Sequence, residues 1–261
     1  MPQQLHEAVV QTTQGERLIG HIARDSTAIP VRERFPDRPV KKKKRKGKPG
    51  RPKGVAKAHR RTTASQRGTR IQRQGHQQLK EMLAGLSTEC GLGVKTSNDG
   101  HQKYWRGYKL HLDVADGQVP ISAILTSASV HDSQVAIPLM TMTSARVTHL
   151  YELMDSAYDA NAIHEQVRKG GRIPIIKPNG TRGTKKPSQL TKVFPAKVAP
   201  ELCWAKKDRF KERTMVERVN ARLKDEFGAS QIRVRGAAKV MAHLMFGVLA
   251  LTVDQWLRLS G

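Results

Sequence analysis

The sequence predicts an α/β protein: a mixed sheet flanked by helices, with a disordered basic insertion after the first strand. Three observations predict it. Short strand-like runs alternate with helical segments from about residue 104 to the C-terminus. An Asp116-Gly117 pair joins two such runs at hairpin spacing. Between residues 31 and 76 apolar side chains become scarce while Lys, Arg, Gly and Pro accumulate, so no core there offsets the entropy of ordering.

The elements follow in order. Residues 1–17 are polar and show no clear pattern. Arg17 to Asp25 alternates with period two and reads as a strand ending at Asp25. The insertion carries Lys41, Lys42, Lys43, Lys44, Arg45 and Lys46 as one cationic run, and Arg51 and Lys53 in a Gly/Pro-rich stretch behind it. Residues 78–86 fit a short helix. Gly107–Val114 and Val119–Thr126 form the hairpin. His131 opens a helix capped by Asp132 or Ser133 and made irregular by Pro138. Val147–Met154 is an apolar strand ending at Asp155. Asp159 caps a helix that stops at Gly170-Gly171, and Arg172–Ile176 is a short strand. Residues 177–208 read as basic loop. A helix spans 210–227, and Ala237–Leu259 is apolar on most sides, hence buried. The domain reading is 1–30 as first strand, 31–76 as insertion and 77–261 as the remainder of one catalytic domain.

Composition narrows the function. The 261 residues carry a formal net charge of +25, a field that attracts polyanions. The most apolar segment, 240–253, is too short to span a bilayer, and the N-terminus has no apolar signal core. Cys90 and Cys203 stand far apart, which fits a reducing cytoplasm and not a zinc-ribbon site.

The 210–227 helix carries the chemistry. At about 100° per residue, Arg213, Glu217, Asn220 and Lys224 share one stripe, while Met215, Val216, Val219 and Leu223 share another. One side therefore packs on a core, and a neighbouring side presents a carboxylate between two cations. An ordinary surface i,i+4 pair between Arg213 and Glu217 is the plain alternative. Asp25 and Asp155 end strands, where α/β sheets build ligand sites. Asp25 also suits a turn, with Ser26 and Thr27 behind it. Asp113 reads as outward-facing and Asp116 as turn-forming. Convergent carboxylates need a cation between them, and oxygen ligands suit Mg²⁺.

Phe210, Arg213, Glu217 and Lys224 keep the spacing of the Tyr-Arg-Glu-Lys signature of DDE transposases from bacterial insertion sequences, with Phe in place of Tyr. The likeness extends to Gly-His-Ile-Ala-Arg-Asp25-Ser-Thr-Ala-Ile, to Tyr108–Gly117, to Thr126–Ser133, to Met154–Ala160 and to Glu217–Gly228. The chain thus resembles that family over about residues 17–261. The resemblance implies a ribonuclease-H-like fold and Asp25, Asp155 and Glu217 as catalytic and metal-holding residues. It implies two Mg²⁺ ions, for which Mn²⁺ can substitute, and cleavage and strand transfer at transposon ends. Double-stranded DNA is the implied partner, a homodimer on it is compatible, and a cytoplasmic, nucleoid-associated location follows. Arg213, Asn220 and Lys224, with the basic residues of 41–53, are the candidate DNA contacts; a solvated linker is the alternative for the latter. Pro49-Gly-Arg-Pro-Lys53 resembles the centre of an AT-hook, with Pro where its first arginine belongs. Relatives usually carry an N-terminal end-binding domain, whereas 24 residues precede Asp25 here. A truncated, inactive remnant and a nuclease without strand transfer are therefore the rival expectations.

Overall fold

The computed structural model describes residues 1–33, 63–96, 99–178 and 200–261. In chain order the elements are α1 (Pro2–Gln14), β1 (Leu18–Pro30), α2 (Thr63–Gln74), α3 (Leu79–Ala84), β2 (Gly91–Thr96), β3 (Gln102–Ala115), β4 (Val119–Ser127), α4 (Ala136–Ser144), β5 (Thr148–Met154), α5 (Asn161–Lys169), β6 (Ile173–Ile176), α6 (Pro200–Lys211), α7 (Thr214–Asp225) and α8 (Ala237–Ser260). Single 3-10 turns at Asp132–Gln134 and Ser156–Tyr158 precede α4 and α5.

The strands form one six-stranded sheet in the order β2-β3-β1-β5-β6, with β4 also on β3. β3 runs antiparallel to β1, β2 and β4, whereas β5 is parallel to β1 and β6. A meander that switches to parallel crossovers beside its first strand is the ribonuclease-H-like arrangement. The hairpin turns as Asp116-Gly117 predicts; Gly117 and Gln118 both adopt positive φ there.

Alternation sorts β1 onto two faces. Ala23 and Ile29 join Leu110, Leu112, Leu153 and the buried residues of α7 and α8 in the larger core. Met154, Tyr158, Ile137, Ile163 and Val167 form a second cluster under α4 and α5 on the opposite face. The sheet is thus covered on both sides, which explains strands of nearly continuous burial such as β4.

Several expectations change. Residues 2–14 form α1, whose inward residues are few: Val10, with the polar His6 and Gln14. Such a thin stripe gives almost no periodic signal. His6 is fixed between the Pro120 carbonyl and the Thr252 hydroxyl, and burial pushes it down to about 4. The insertion ends in a helix, α2, packed on α4 and α5 through Ile71; the run Lys41–Lys53 lies outside the described residues. The strand predicted to stop at Asp25 continues to Pro30, because β3 pairs it along its whole second half. β2 and α6 were not expected. The 210–227 helix is divided, with a tight turn at Glu212 and Arg213 between α6 and α7.

Capping residues also differ. His131, not Asp132 or Ser133, caps the first 3-10 turn through its ring. Asp159 bonds His164 at 3.1 Å instead of capping α5. Asp113 is not outward-facing but fully buried. α8 is long and apolar enough to cross a membrane by length and composition. Its Val240, Leu244, Val248 and Leu251 instead pack in the larger core, whereas Phe246 and Leu257 are exposed.

Candidate active site

Parallel pairing places Arg24 beside Met154, so Asp25 and Asp155 follow as neighbours on adjacent strands, about 4.8 Å apart in strand spacing. Each side chain is half-buried. Asp155 also serves as a cap, its Oδ1 accepting from Ala157 N at 2.9 Å. Burial pushes the Asp25 carboxyl up to about 7; the Ser26 N–H opposes this, the charges of Asp155 and Asp132 add to it, and Arg213 opposes it. Burial also raises Asp155, again with Asp132 adding to the effect. Two half-buried acids side by side resist full ionisation unless a cation joins them.

Asp132 is the acid that sequence reasoning left as a cap. Its Oδ1 accepts from Lys109 Nζ at 3.0 Å. Burial works against its charge, but Lys109 holds it below the usual carboxylate range. His111, itself pushed down to about 4 by burial, adds little at neutral pH. The signal was present in the His131-Asp132 pair, where a capping role was the simpler explanation.

Glu217 reaches the same face from α7, which packs on β1 and β3. Met215, Val216, Val219 and Leu223 are buried, so the predicted apolar stripe is the packed one. Glu217 itself is exposed and bonded to Arg213 Nη2 at 2.6 Å. Arg213 therefore pairs with Glu217 while its charge also favours ionisation of Asp25 and Asp155. Among the described residues no three His, Cys, Asp or Glu side chains are grouped so as to hold a metal ion. The structure brings Asp25 and Asp155 together and places the chain's own guanidinium between them and Glu217.

The rest of the stripe divides. Lys224 is half-buried, its ammonium lowered first by burial and then by the charge of Lys95. Asn220 is 7% exposed with Oδ1 unpartnered, because its wheel position turns it toward the sheet. The candidate contacts Lys41, Lys42, Lys43, Lys44, Arg45, Arg51 and Lys53 lie outside the described residues.

On the other face of β1, directly behind Asp25, Arg24 is 1% exposed. Its Nε and Nη2 donate to Asp113 Oδ1 and Oδ2, each at 2.7 Å, and its Nη1 donates to Glu152 Oε2 at 3.0 Å. Thr143 donates to Asp113 at 2.6 Å, and Arg172 pairs with Glu152 at 3.2 Å. This network fixes β1, β3 and β5 in register where the two strand acids stand. Sequence reasoning missed it because a strand-borne Arg and Asp ordinarily read as exposed.

No curated protein and no solved structure matches the chain. The family model described as Transposase DDE domain matches residues 16–253, a span that includes the whole sheet, both strand acids and Glu217. The chain belongs to the DDE transposase family.

Proposed function

We propose that this transposase cuts DNA at the ends of its insertion sequence and transfers the freed strand to a target, with Asp25, Asp155 and Glu217 as the catalytic acids. The supporting observation is the adjacency of Asp25 and Asp155, both with carboxyls raised first by burial, with the charge of Asp132 adding to each. An all-oxygen donor set of this kind suits Mg²⁺ or Mn²⁺. Such a cation, when bound, would supply activation of the attacking oxygen and stabilisation of the leaving one.

This chain's residues have separate tasks. Asp25 offers a carboxylate from within the central strand β1, and Asp155 offers one just past the end of β5. Glu217, bonded to Arg213 in this structure, would complete the donor set for a divalent cation. Released Arg213 then grips two phosphate oxygens, and Lys224 adds a point charge one helical stretch on. The Lys41–Lys53 run supplies sequence-independent phosphate contacts.

The test is incubation of the wild-type protein and Mg²⁺ with a duplex carrying the DNA that flanks its gene and a supercoiled target. Nicking followed by joining of the cut end to the target supports a transposase. Nicking without joining would mean a nuclease, and neither would mean an inactive DNA-binding remnant.

A further inference from the structure

β3 outruns its neighbours. β1 pairs it from Gly107 onward and β4 from Tyr108 onward, whereas β2 pairs it from Gly107 out to Gln102. The result is a two-stranded ribbon reaching about 17 Å past the sheet, at about 3.4 Å per residue. The ribbon is stiffened and fastened. Trp105 lies opposite Gly93, and its ring fills the space that a Cβ there would need. Trp105 Nε1 donates to Tyr108 O at 3.2 Å. At the root, Val31 N donates to Arg106 O at 3.0 Å. Glu33 then ties the root to the start of α8, accepting from Tyr108 OH at 3.0 Å and from Gly236 N at 2.8 Å.

Two features of this region concentrate positive charge. Lys95 and Lys103 stand directly opposite each other across the ribbon, both exposed. Like charges in that position destabilise a strand pair, and among the described residues neither has an ion-pair partner. Beside the root, a groove of about 670 Å³ runs between the end of β1 and residues 230–235, and exposed Arg32, Arg233 and Arg235 line it. Lys224 lies between the ribbon and the acids, close enough to Lys95 and Asp25 for its ammonium to feel both charges. The cations thus continue from α7 outward, away from the acids.

We propose that ribbon and groove form one docking surface for the sugar-phosphate backbone of double-stranded DNA, holding the duplex beyond Lys224 while the scissile bond lies at the acids. A polyanion relieves the Lys95/Lys103 repulsion, and a two-stranded ribbon fits the dimensions of the major groove. The placement of the scissile bond rests on the transposase reading; the surface itself does not.

The full chain is tested as two double variants, K95A/K103A and R233A/R235A, with R168A/K169A as control. Arg168 and Lys169 end α5, which packs in the core cluster of the other face, and the control removes the same charge. The probe is a short duplex of arbitrary sequence. Each test variant should bind roughly tenfold more weakly at physiological salt, and its slope of log affinity against log salt should fall by about 2, one for each lost phosphate contact. Thermal stability should not fall in either test variant, and K95A/K103A should gain slightly from the lost repulsion; the control should keep the wild-type slope. Wild-type slopes in both test variants would overturn the surface. If the wild type nevertheless cut end DNA, the surface alone would fall. Reduced slopes with a wild type that never cuts would leave the surface standing and remove the transposase reading.

Discussion

The charge arrangement around β1 is decided residue by residue. Arg24 and Asp25 are adjacent and face opposite sides of the sheet, one neutralised and the other not. Arg24 has a bidentate carboxylate on one side and a second carboxylate on the other. Removing it leaves Asp113 and Glu152 buried without their cation, so Arg24→Ala should destabilise the fold by about 3–5 kcal/mol in denaturant titration. Asp25 has no such partner, and the free protein bears the cost of its charge. Its folded pKa of about 7 lies above the ordinary value of 3.8. A raised carboxyl contributes stability that is complete below about pH 4 and is lost as pH rises through about 7. In metal-free buffer, Asp25→Asn should therefore be more stable than wild type at pH 8, by at most about 4 kcal/mol. The advantage should shrink as pH falls from 7 toward 4. An equal difference at pH 8 and pH 4 would show that the carboxyl is ordinary.

At the scale of elements, α7 joins the fold to the site. Its buried stripe was legible in the sequence because four apolar residues at helical spacing leave one packing solution, and that packing fixes where Glu217 emerges. The hairpin was legible from Asp116-Gly117, and β5 from an apolar run that ends at an acid. α1 was not, since its contact with β4 and α8 rests on His6 as much as on Val10. β2 was hidden because Gly93 and Lys95 carry no strand propensity; Trp105 across the ribbon supplies the missing packing. Asp113 misled because a lone Asp in a strand gives no sign of the arginine that will meet it. Of the candidate site, the placing of Asp25 and Asp155 side by side was legible from two strand-borne acids, while the hold of Arg213 on Glu217 depends on the turn between α6 and α7. If Arg213 and Lys224 position phosphates, alanine at either should slow nicking of pre-bound end DNA by about a hundredfold, as a misplacement near 1 Å does. Far-UV circular dichroism should be unchanged. Wild-type nicking in both would mean that the stripe is ordinary solvated surface.

Across the whole molecule, the +25 charge is unevenly used. The acids lie on one sheet face beside Arg213, and the described cations of α7, the ribbon and the groove extend from them toward one end of the sheet. The Lys41–Lys53 run adds a further block of charge with almost no apolar surface. Deleting residues 41–53 should leave the unfolding midpoint within a few degrees while weakening DNA binding and flattening its salt dependence. An unchanged salt slope would mean that this run does not touch phosphate.

The proposed chemistry requires Glu217 to leave Arg213 and to join Asp25 and Asp155 as a ligand for divalent metal. Nicking of end DNA by Glu217→Gln in Mg²⁺ isolates this requirement, because glutamine keeps the size of the side chain and still reaches Arg213. We predict that cleavage falls by at least about a hundredfold while DNA affinity stays within a few-fold of wild type, as expected when a metal-held reacting group is lost and phosphate contacts remain. Cleavage at the wild-type rate would leave Glu217 as the surface partner of Arg213 and nothing more.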